Sequence, residues 1–218
     1  MDKYLSIVVP VFNGAGNIEP LYSSVRDLFK KTDEPCELIL VNDGSTDDTP
    51  LKLKSLKGEF LKTINLGINR GQHHAIDRGL KEARGRIILI MDDDQYGFLP
   101  YLSGILKPPP EDDLIIISRI GRNISFYRKA ASKIINLGIS CVTGKRIYDG
   151  GGIKIFSNKG KDILLEQGSF LRTLNYLGKL KIRQFGLPVS SGSRSRYNLS
   201  RLFRLFLQIV ASLLGKSS

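Results

Sequence analysis

The sequence has no tryptophan, and only two cysteines and two histidines in 218 residues. Cys36 and Cys141 lie far apart, outside any CxxC pattern and without His-rich neighbours. A zinc site and a disulfide framework are therefore not expected, and both thiols read as small buried hydrophobes in a reducing compartment. Long apolar runs are also missing. The longest near the end, Leu205 to Leu214, is interrupted by Gln208 and falls short of the roughly 20 residues that cross a bilayer. Met1 leads almost directly into a strand-like run with no basic, then apolar, leader pattern, so no secretory signal is expected. Internal repeats and low-complexity tracts are absent.

Acidic residues are scarce in one half only. Residues 119–218 carry 19 Lys and Arg against Asp149, Asp162 and Glu166, whereas residues 1–118 carry 14 basic and 18 acidic side chains. A net charge of +12 thus conceals a nearly neutral, slightly acidic first half and a strongly basic second half. This polarity points the second half towards a polyanion or an anionic membrane surface. Nucleic acid is disfavoured as the partner, because no aromatic platforms interleave with the basic residues and no DNA-reading motif occurs.

What is present is an ordinary folded composition, 41% hydrophobic and 25% charged, in a length that suits one domain. Short β-branched apolar runs alternate with helical patterns, the mark of β/α units and a mostly parallel sheet. Strands are predicted at Ser6–Val11, Leu38–Val41, Lys62–Asn65, Ile87–Met91, Leu114–Ser118 and Ile153–Phe156. Helices are predicted at Ile18–Lys31, Thr46–Leu56, Gln72–Ala83 and Ser125–Val142. From Asn198 to Leu214, Leu199, Leu202, Phe203, Phe206, Val210, Leu213 and Leu214 recur at helical spacing opposite Arg201, Arg204 and Gln208. The chain is accordingly divided into an α/β domain over 1–197 and an amphipathic, membrane-associating helix over 198–218.

Two acidic motifs fall at the ends of predicted parallel strands, where open α/β sheets bind ligands. In Val41-Asn42-Asp43-Gly44-Ser45-Thr46-Asp47, a carboxylate can accept from a base or ribose, Gly44 permits close backbone approach, and Ser45 or Thr46 can cap the next helix. In Met91-Asp92-Asp93-Asp94, three consecutive carboxylates repel one another unless a cation neutralises them. Asp92 and Asp94 project to one face of an extended segment, as needed to share a Mg²⁺ or Mn²⁺ ion whose remaining ligands are phosphate oxygens. His73 and His74, after Gln72 at a helix start, read as supporting or capping groups.

The run Ser6-Ile7-Val8-Val9-Pro10-Val11-Phe12-Asn13, then VNDGSTD, NRGQHHAIDRGLKEARG and MDDD, resembles glycosyltransferase family 2 with its GT-A, Rossmann-like nucleotide-sugar fold. The second half, with SFYRKAASKIIN, Thr143-Gly144-Lys145 and Asp149-Gly150-Gly151-Gly152, is similar to the polyprenyl-phosphate glycosyltransferases of that family. The resemblance implies an inverting enzyme that moves a sugar from a UDP- or GDP-linked donor to undecaprenyl or dolichyl phosphate. Its place would be the cytoplasmic, inner face of a membrane, as a peripheral protein. It implies that Pro10, Val11 and Asn13 line the nucleotide, that Asp43 contacts the base, and that Gly71, Gln72, Asp93 and Gln95 border the donor. Asp92 and Asp94 would hold the metal and diphosphate, with Asp94, Arg119 and Arg128 as the catalytic set. Arg119 and Arg128 would meet phosphate, and Lys133, Asp149, Arg194, Ser195 and Arg196 would stand near the acceptor. Self-association is left open.

The chain departs from the family pattern at Gly14, where an acid is usual, at Gln95-Tyr96-Gly97-Phe98, where Leu-Gln-x-Pro is usual, and at Ser190 or Ser191, where an Arg is common. A transferase acting on a sugar hydroxyl or another lipid, or a weakly active nucleotide-sugar-binding scaffold, are the alternatives. Chemistry favours the phosphate acceptor. A sugar hydroxyl needs a general base, whereas a phosphate monoester with a second pKa near ~6 is largely dianionic at pH 7 and needs only cations. Asp149 is the single base candidate in its motif, and its glycine neighbours fit loop shaping equally well.

Overall fold

The computed structural model describes residues 3–106, 111–120, 153–166 and 180–188. The helices expected over Ser125–Val142 and 198–218 lie outside them. The described elements run β1 (Lys3–Val11), α1 (Ile18–Phe29), β2 (Cys36–Asn42), α2 (Thr49–Ser55), β3 (Leu61–Asn65), α3 (Gln72–Glu82) and β4 (Gly85–Ile90). A 3₁₀ turn (Tyr96–Phe98), α4 (Leu99–Leu106), β5 (Leu114–Ile120), β6 (Ile153–Phe156), α5 (Asn158–Glu166) and β7 (Ile182–Pro188) follow. Each strand expected from the sequence is present. The helix expected from Thr46 begins at Thr49, because Ser45, Thr46 and Asp47 are engaged in the turn before it.

One seven-stranded sheet has the order β3-β2-β1-β4-β6-β5-β7. β1 pairs in parallel with both β2 and β4, β2 pairs in parallel with β3, and β5 in parallel with β7. Only β6, among the described strands, runs the other way, wedged between β4 and β5. The mostly parallel α/β sheet expected from the sequence is what the chain forms. Its central strands are buried on both faces and read as nearly continuous aliphatic runs.

Residue alternation along the strands divides the core in two. One face sends Leu5, Ile7, Val9, Leu38, Leu40 and Leu89 against Ile18, Leu21 and Val25 of α1 and Leu99 and Leu102 of α4. The other packs Val8, Ile39, Val41, Ile88, Ile90 and Phe156 against Ala75, Ile76 and Leu80 of α3.

Buried polar groups at the amino ends of the strands are mutually satisfied. Ser6 Oγ donates to Glu37 Oε1 (2.6 Å), which also accepts the Arg84 N–H, while Gly85 N–H donates to Ser6 Oγ. Asp112 takes Arg183 (2.7 Å) and Asp113 accepts the Lys181 N–H (2.8 Å), which seats β7 beside β5. Such pairing offsets the cost of burying carboxylates. The polar chemistry left over lies at the opposite, carboxyl-terminal edge.

Candidate functional site

β1, β2 and β4 end side by side, so the segments that follow them meet at one edge. Pro10 and Val11 are the last residues of β1, in register with Val41 and Asn42 of β2. Asn13 follows with φ +51°, a left-handed conformation that asparagine tolerates better than most residues. Its Oδ1 accepts the Thr46 N–H (2.8 Å), and its own N–H donates to Ser45 Oγ (2.9 Å). Gly14 N–H donates to Thr49 Oγ1 (2.9 Å) and Ala15 N–H to Asp47 Oδ2 (3.2 Å). The turn after β1 is thus laced to the turn after β2, one amide after another. Burial opposes the charge of Asp47, but hydrogen bonds from Thr49 and Ala15 win and hold its carboxyl below the usual range.

Asp43 is only 2% exposed, and its two oxygens accept the N–H groups of Arg70 and Gly71, both at 2.9 Å. It anchors the 66–71 loop. Gly44, at φ +67°, lies under that loop so closely that an added Cβ would overlap Asn69 N and stand 2.5 Å from Ile68 C. Asp43 therefore shapes the wall of the edge through backbone amides, a role that the sequence reading, which assigned it to the base, did not anticipate. Asn42 Oδ1 accepts the Ser45 N–H (3.0 Å), and its Nδ2 donates to Asn65 Oδ1 (3.2 Å), extending the network to β3.

The acidic turn follows β4. Asp92 is gripped by two amides: Gln72 Nε2, from the first residue of α3, donates to Oδ1 (2.6 Å), and Gln95 Nε2 donates to Oδ2 (3.3 Å). Gln95 Oε1 in return accepts the Asp92 N–H (3.0 Å), and Gln95 N–H donates to the Asp92 carbonyl (3.1 Å). Asp93 is 8% exposed and accepts from Asn17 Nδ2 (3.0 Å). Asp94 is half-buried on the same turn; because the Gln95 N–H bond to the Asp92 carbonyl closes that turn, Asp92–Asp94 is not the extended segment expected from the sequence, and strand alternation does not set where Asp92 and Asp94 face.

Lys154 of β6 stands in register with Ile90 and Ile116, at the level where the acidic turn begins. Burial, with the Lys154 charge second, lowers the pKa of His73 to about 4, so this imidazole is neutral at pH 7. His74 is exposed. Two residues along β5 from Ile116, Ser118 Oγ is buried and finds no hydrogen-bond partner among the described residues. Arg119 follows it, beside Leu187 of β7.

The structure brings Pro10, Val11, Asn13, Asp43, Gly71, Gln72, Asp92, Asp93, Asp94 and Gln95 to one edge, with Arg119 at the corresponding end of β5. Arg128, Lys133, Asp149, Arg194, Ser195 and Arg196 lie outside the described residues. Sequence reasoning passed over Asn17, Thr49 and Lys154, which belong to this edge only through the fold. It also passed over the bonds of Asn42 and Ser45, which a close look at VNDGSTD could have raised.

The chain is similar to known proteins in sequence and in fold. The family model for glycosyl transferase family 2 matches residues 6–161. An undecaprenyl-phosphate 4-deoxy-4-formamido-L-arabinose transferase of Serratia proteamaculans is 32% identical over 153 residues, covering 68% of this chain and 47% of the relative. Its Klebsiella pneumoniae (strain 342) counterpart is 29% identical over 230 residues, covering 97% of this chain and 68% of the relative. The chain therefore spans about half to two thirds of these relatives' length. Among solved structures, glucosyl-3-phosphoglycerate synthase of Mycobacterium tuberculosis, in complex with Mn²⁺, uridine diphosphate and glucosyl-3-phosphoglycerate, superposes with a TM-score of 0.68. It is 21% identical, and the match covers 97% of this chain and 79% of that one, a likeness of GT-A fold. A family match over most of the chain, on a fold whose carboxyl-terminal edge gathers the acidic motifs, establishes that this protein belongs to glycosyltransferase family 2.

Proposed function

We propose that the protein transfers a sugar from a UDP- or GDP-linked donor to a polyprenyl phosphate at the cytoplasmic face of a membrane, with inversion at the anomeric carbon. The observation that carries this reading is the pair of glutamine amides, Gln72 and Gln95, aiming the Asp92 carboxylate at the strand edge with Asp94 two residues on. The nucleotide would lie along the edge beside Pro10, Val11 and Asn13, against the loop that Asp43 holds.

Asp92 and Asp94 fit a divalent cation. Mg²⁺ or Mn²⁺ usually takes one or two carboxylates and fills its shell with phosphate oxygens and water, and the hard oxygens of Asp92 remain able to ligate through their second lone pairs. When bound there, the ion supplies positive charge for the departing nucleoside diphosphate. Gln72 and Gln95 hold Asp92 in one orientation, so no reorganisation is needed as that charge develops. The Mn²⁺ and uridine diphosphate of the mycobacterial complex support testing those two first.

The acceptor follows from charge. A phosphate dianion attacks without a base, and what it requires is cations to bring it to an anionic donor. The basic residues of 119–218 supply them, with Arg119 and Arg128 foremost, and the relatives named above act on undecaprenyl phosphate by name. The helix predicted over 198–218 would rest on the anionic membrane surface.

The test is direct. Purified protein is incubated with undecaprenyl phosphate, a panel of UDP- and GDP-sugars, and Mg²⁺ or Mn²⁺. Formation of a lipid-phosphate-linked sugar from one donor is expected. Transfer to sugar hydroxyls with none to the lipid phosphate would overturn the acceptor, and nucleotide binding without turnover would favour a scaffold.

A further inference from the structure

Gly14 and Asp93 contend for one volume. A Cβ built at Gly14 would overlap Asp93 Oδ2, stand 3.3 Å from Asp93 Cγ and 2.9 Å from Val11 Cγ1. Val11 is 1% exposed and cannot swing away, so the space open to a side chain at 14 is the space the Asp93 carboxylate occupies. Asp93 is itself 8% exposed, a costly place for a carboxylate unless it is hydrogen-bonded. Asn17 Nδ2 donates to it at 3.0 Å, and the Asn17 N–H donates to the Gly14 carbonyl at 2.8 Å. Asp93, Asn17 and Gly14 thus close the turn between β1 and α1 onto the turn after β4. On its other side the same turn is held by Ser45, Thr49 and Asp47.

We propose that Asp93 is a positioning residue whose carboxylate locks the β1–α1 turn to the acidic turn, and that Gly14 is the steric condition admitting it. The charge belongs to the place and not to the strand that delivers it. An acid at 14, expected from the resemblance and missing here, and an acid at 93 are alternative ways of putting one carboxylate between the two turns. The departure at Gly14 is then a relocation of the carboxylate and not a loss of it. Only the functional readout of this proposal rests on the nucleotide-sugar reading.

The test is a double-mutant cycle in the full chain, with Asp93→Ala, Gly14→Asp, Gly14→Glu and the two double variants. Binding of UDP and of GDP with Mn²⁺ is measured by calorimetry, and thermal midpoints are recorded. Asp93→Ala should weaken nucleotide binding about tenfold, as loss of a charged hydrogen-bond partner does. An acid at 14 in the parent should lower the thermal midpoint through overlap. Either acid at 14 combined with Asp93→Ala should bring binding back to within about threefold of the parent. Asp93→Asn separates charge from shape. It keeps an acceptor for Asn17 and loses only the charge assistance, so midpoint and binding should both fall less than in Asp93→Ala, whereas binding as weak as that of Asp93→Ala would mean that the charge acts directly and not through the turn.

The proposal is overturned if both double variants are as weak as the product of their singles, if Asp93→Ala binds like the parent, or if Asp93→Asn binds as weakly as Asp93→Ala. If the parent binds neither nucleotide, the donor reading fails on its own account. The thermal midpoints then decide the pairing, through recovery in the double variants or simple addition of the two losses.

Discussion

Gln72 and Gln95 approach the Asp92 carboxylate from different elements, one from the first turn of α3 and one from the turn after β4, and each donates to a different oxygen. The carboxylate is thereby fixed in rotation before any ligand arrives, and α3 is tied to the end of β4. Gln72→Ala removes one charge-assisted bond, which costs about 1.5–3 kcal/mol. If that orientation is used in the transition state, kcat/KM should fall roughly 10- to 100-fold with little change in the thermal midpoint. Gln72→Glu should be worse than Gln72→Ala, since it sets a second negative charge against Asp92. Steady-state kinetics at saturating metal check both, and parent-like kcat/KM in Gln72→Ala would remove the orienting role.

Asp94→Ala should abolish transfer and leave the fold intact, because the residue contributes charge and not core packing. Asp92→Ala should be less complete. Circular dichroism tests the fold, and titrating EDTA and then Mn²⁺ into the parent tests the ion. Activity of Asp94→Ala that is undiminished in EDTA would refute the metal assignment.

Asp43 predicts a different failure. Its loss leaves the N–H groups of Arg70 and Gly71 without their acceptor, so the 66–71 loop should loosen while the sheet persists. Asp43→Ala should destabilise by roughly 2–3 kcal/mol and Asp43→Asn by less, since one oxygen acceptor survives. Hydrogen exchange at the Arg70 and Gly71 amides should accelerate well beyond that at Ile39 or Leu40. Uniform acceleration throughout would mean that Asp43 serves global stability and not the loop.

Much of this was legible in the sequence, and the physical reasons for the rest are specific. The β/α alternation through β4 was readable because local periodicity encodes it, and MDDD and VNDGSTD announced themselves by following buried strands. The place of β6 was not, since a short apolar run carries no record of which neighbours it pairs with, and β6 enters against the direction of the sheet. β7 was overlooked because burial alternates from Ile182 to Phe185 while polarity does not follow it: Gln184 is half-buried and Phe185 exposed, which hides the apolar alternation that betrays a half-buried strand. α4 was hidden behind Gly97 and Pro100, which read as loop punctuation although proline suits a helix's first turn. At the site, the acids were visible but their partners were not. Asn17 and Asp93 are 76 residues apart, and only the sheet order brings them together.

The last prediction concerns acid. His73 is neutral because burial, and then the nearby Lys154 charge, lowers its pKa from 6.5 to about 4. Between those values the unfolded chain binds a proton that the folded chain refuses, so unfolding free energy rises with pH. The contribution of His73 is fully present above about pH 6.5 and is lost as pH falls towards 4, up to about 3 kcal/mol over the window. Carboxylates titrate at the lower end of this range, so the informative quantity is the difference between parent and His73→Gln in urea unfolding at pH 7.5, 6 and 5. The parent should lose more stability than the variant, with the gap opening below pH 6.5. Lys154→Met should recover only part of that gap, because burial is the larger of the two causes and remains. Parallel stability curves for parent and His73→Gln would show that His73 does not hold off its proton in the folded protein, and the neutral imidazole beside the acidic turn would have to be given up.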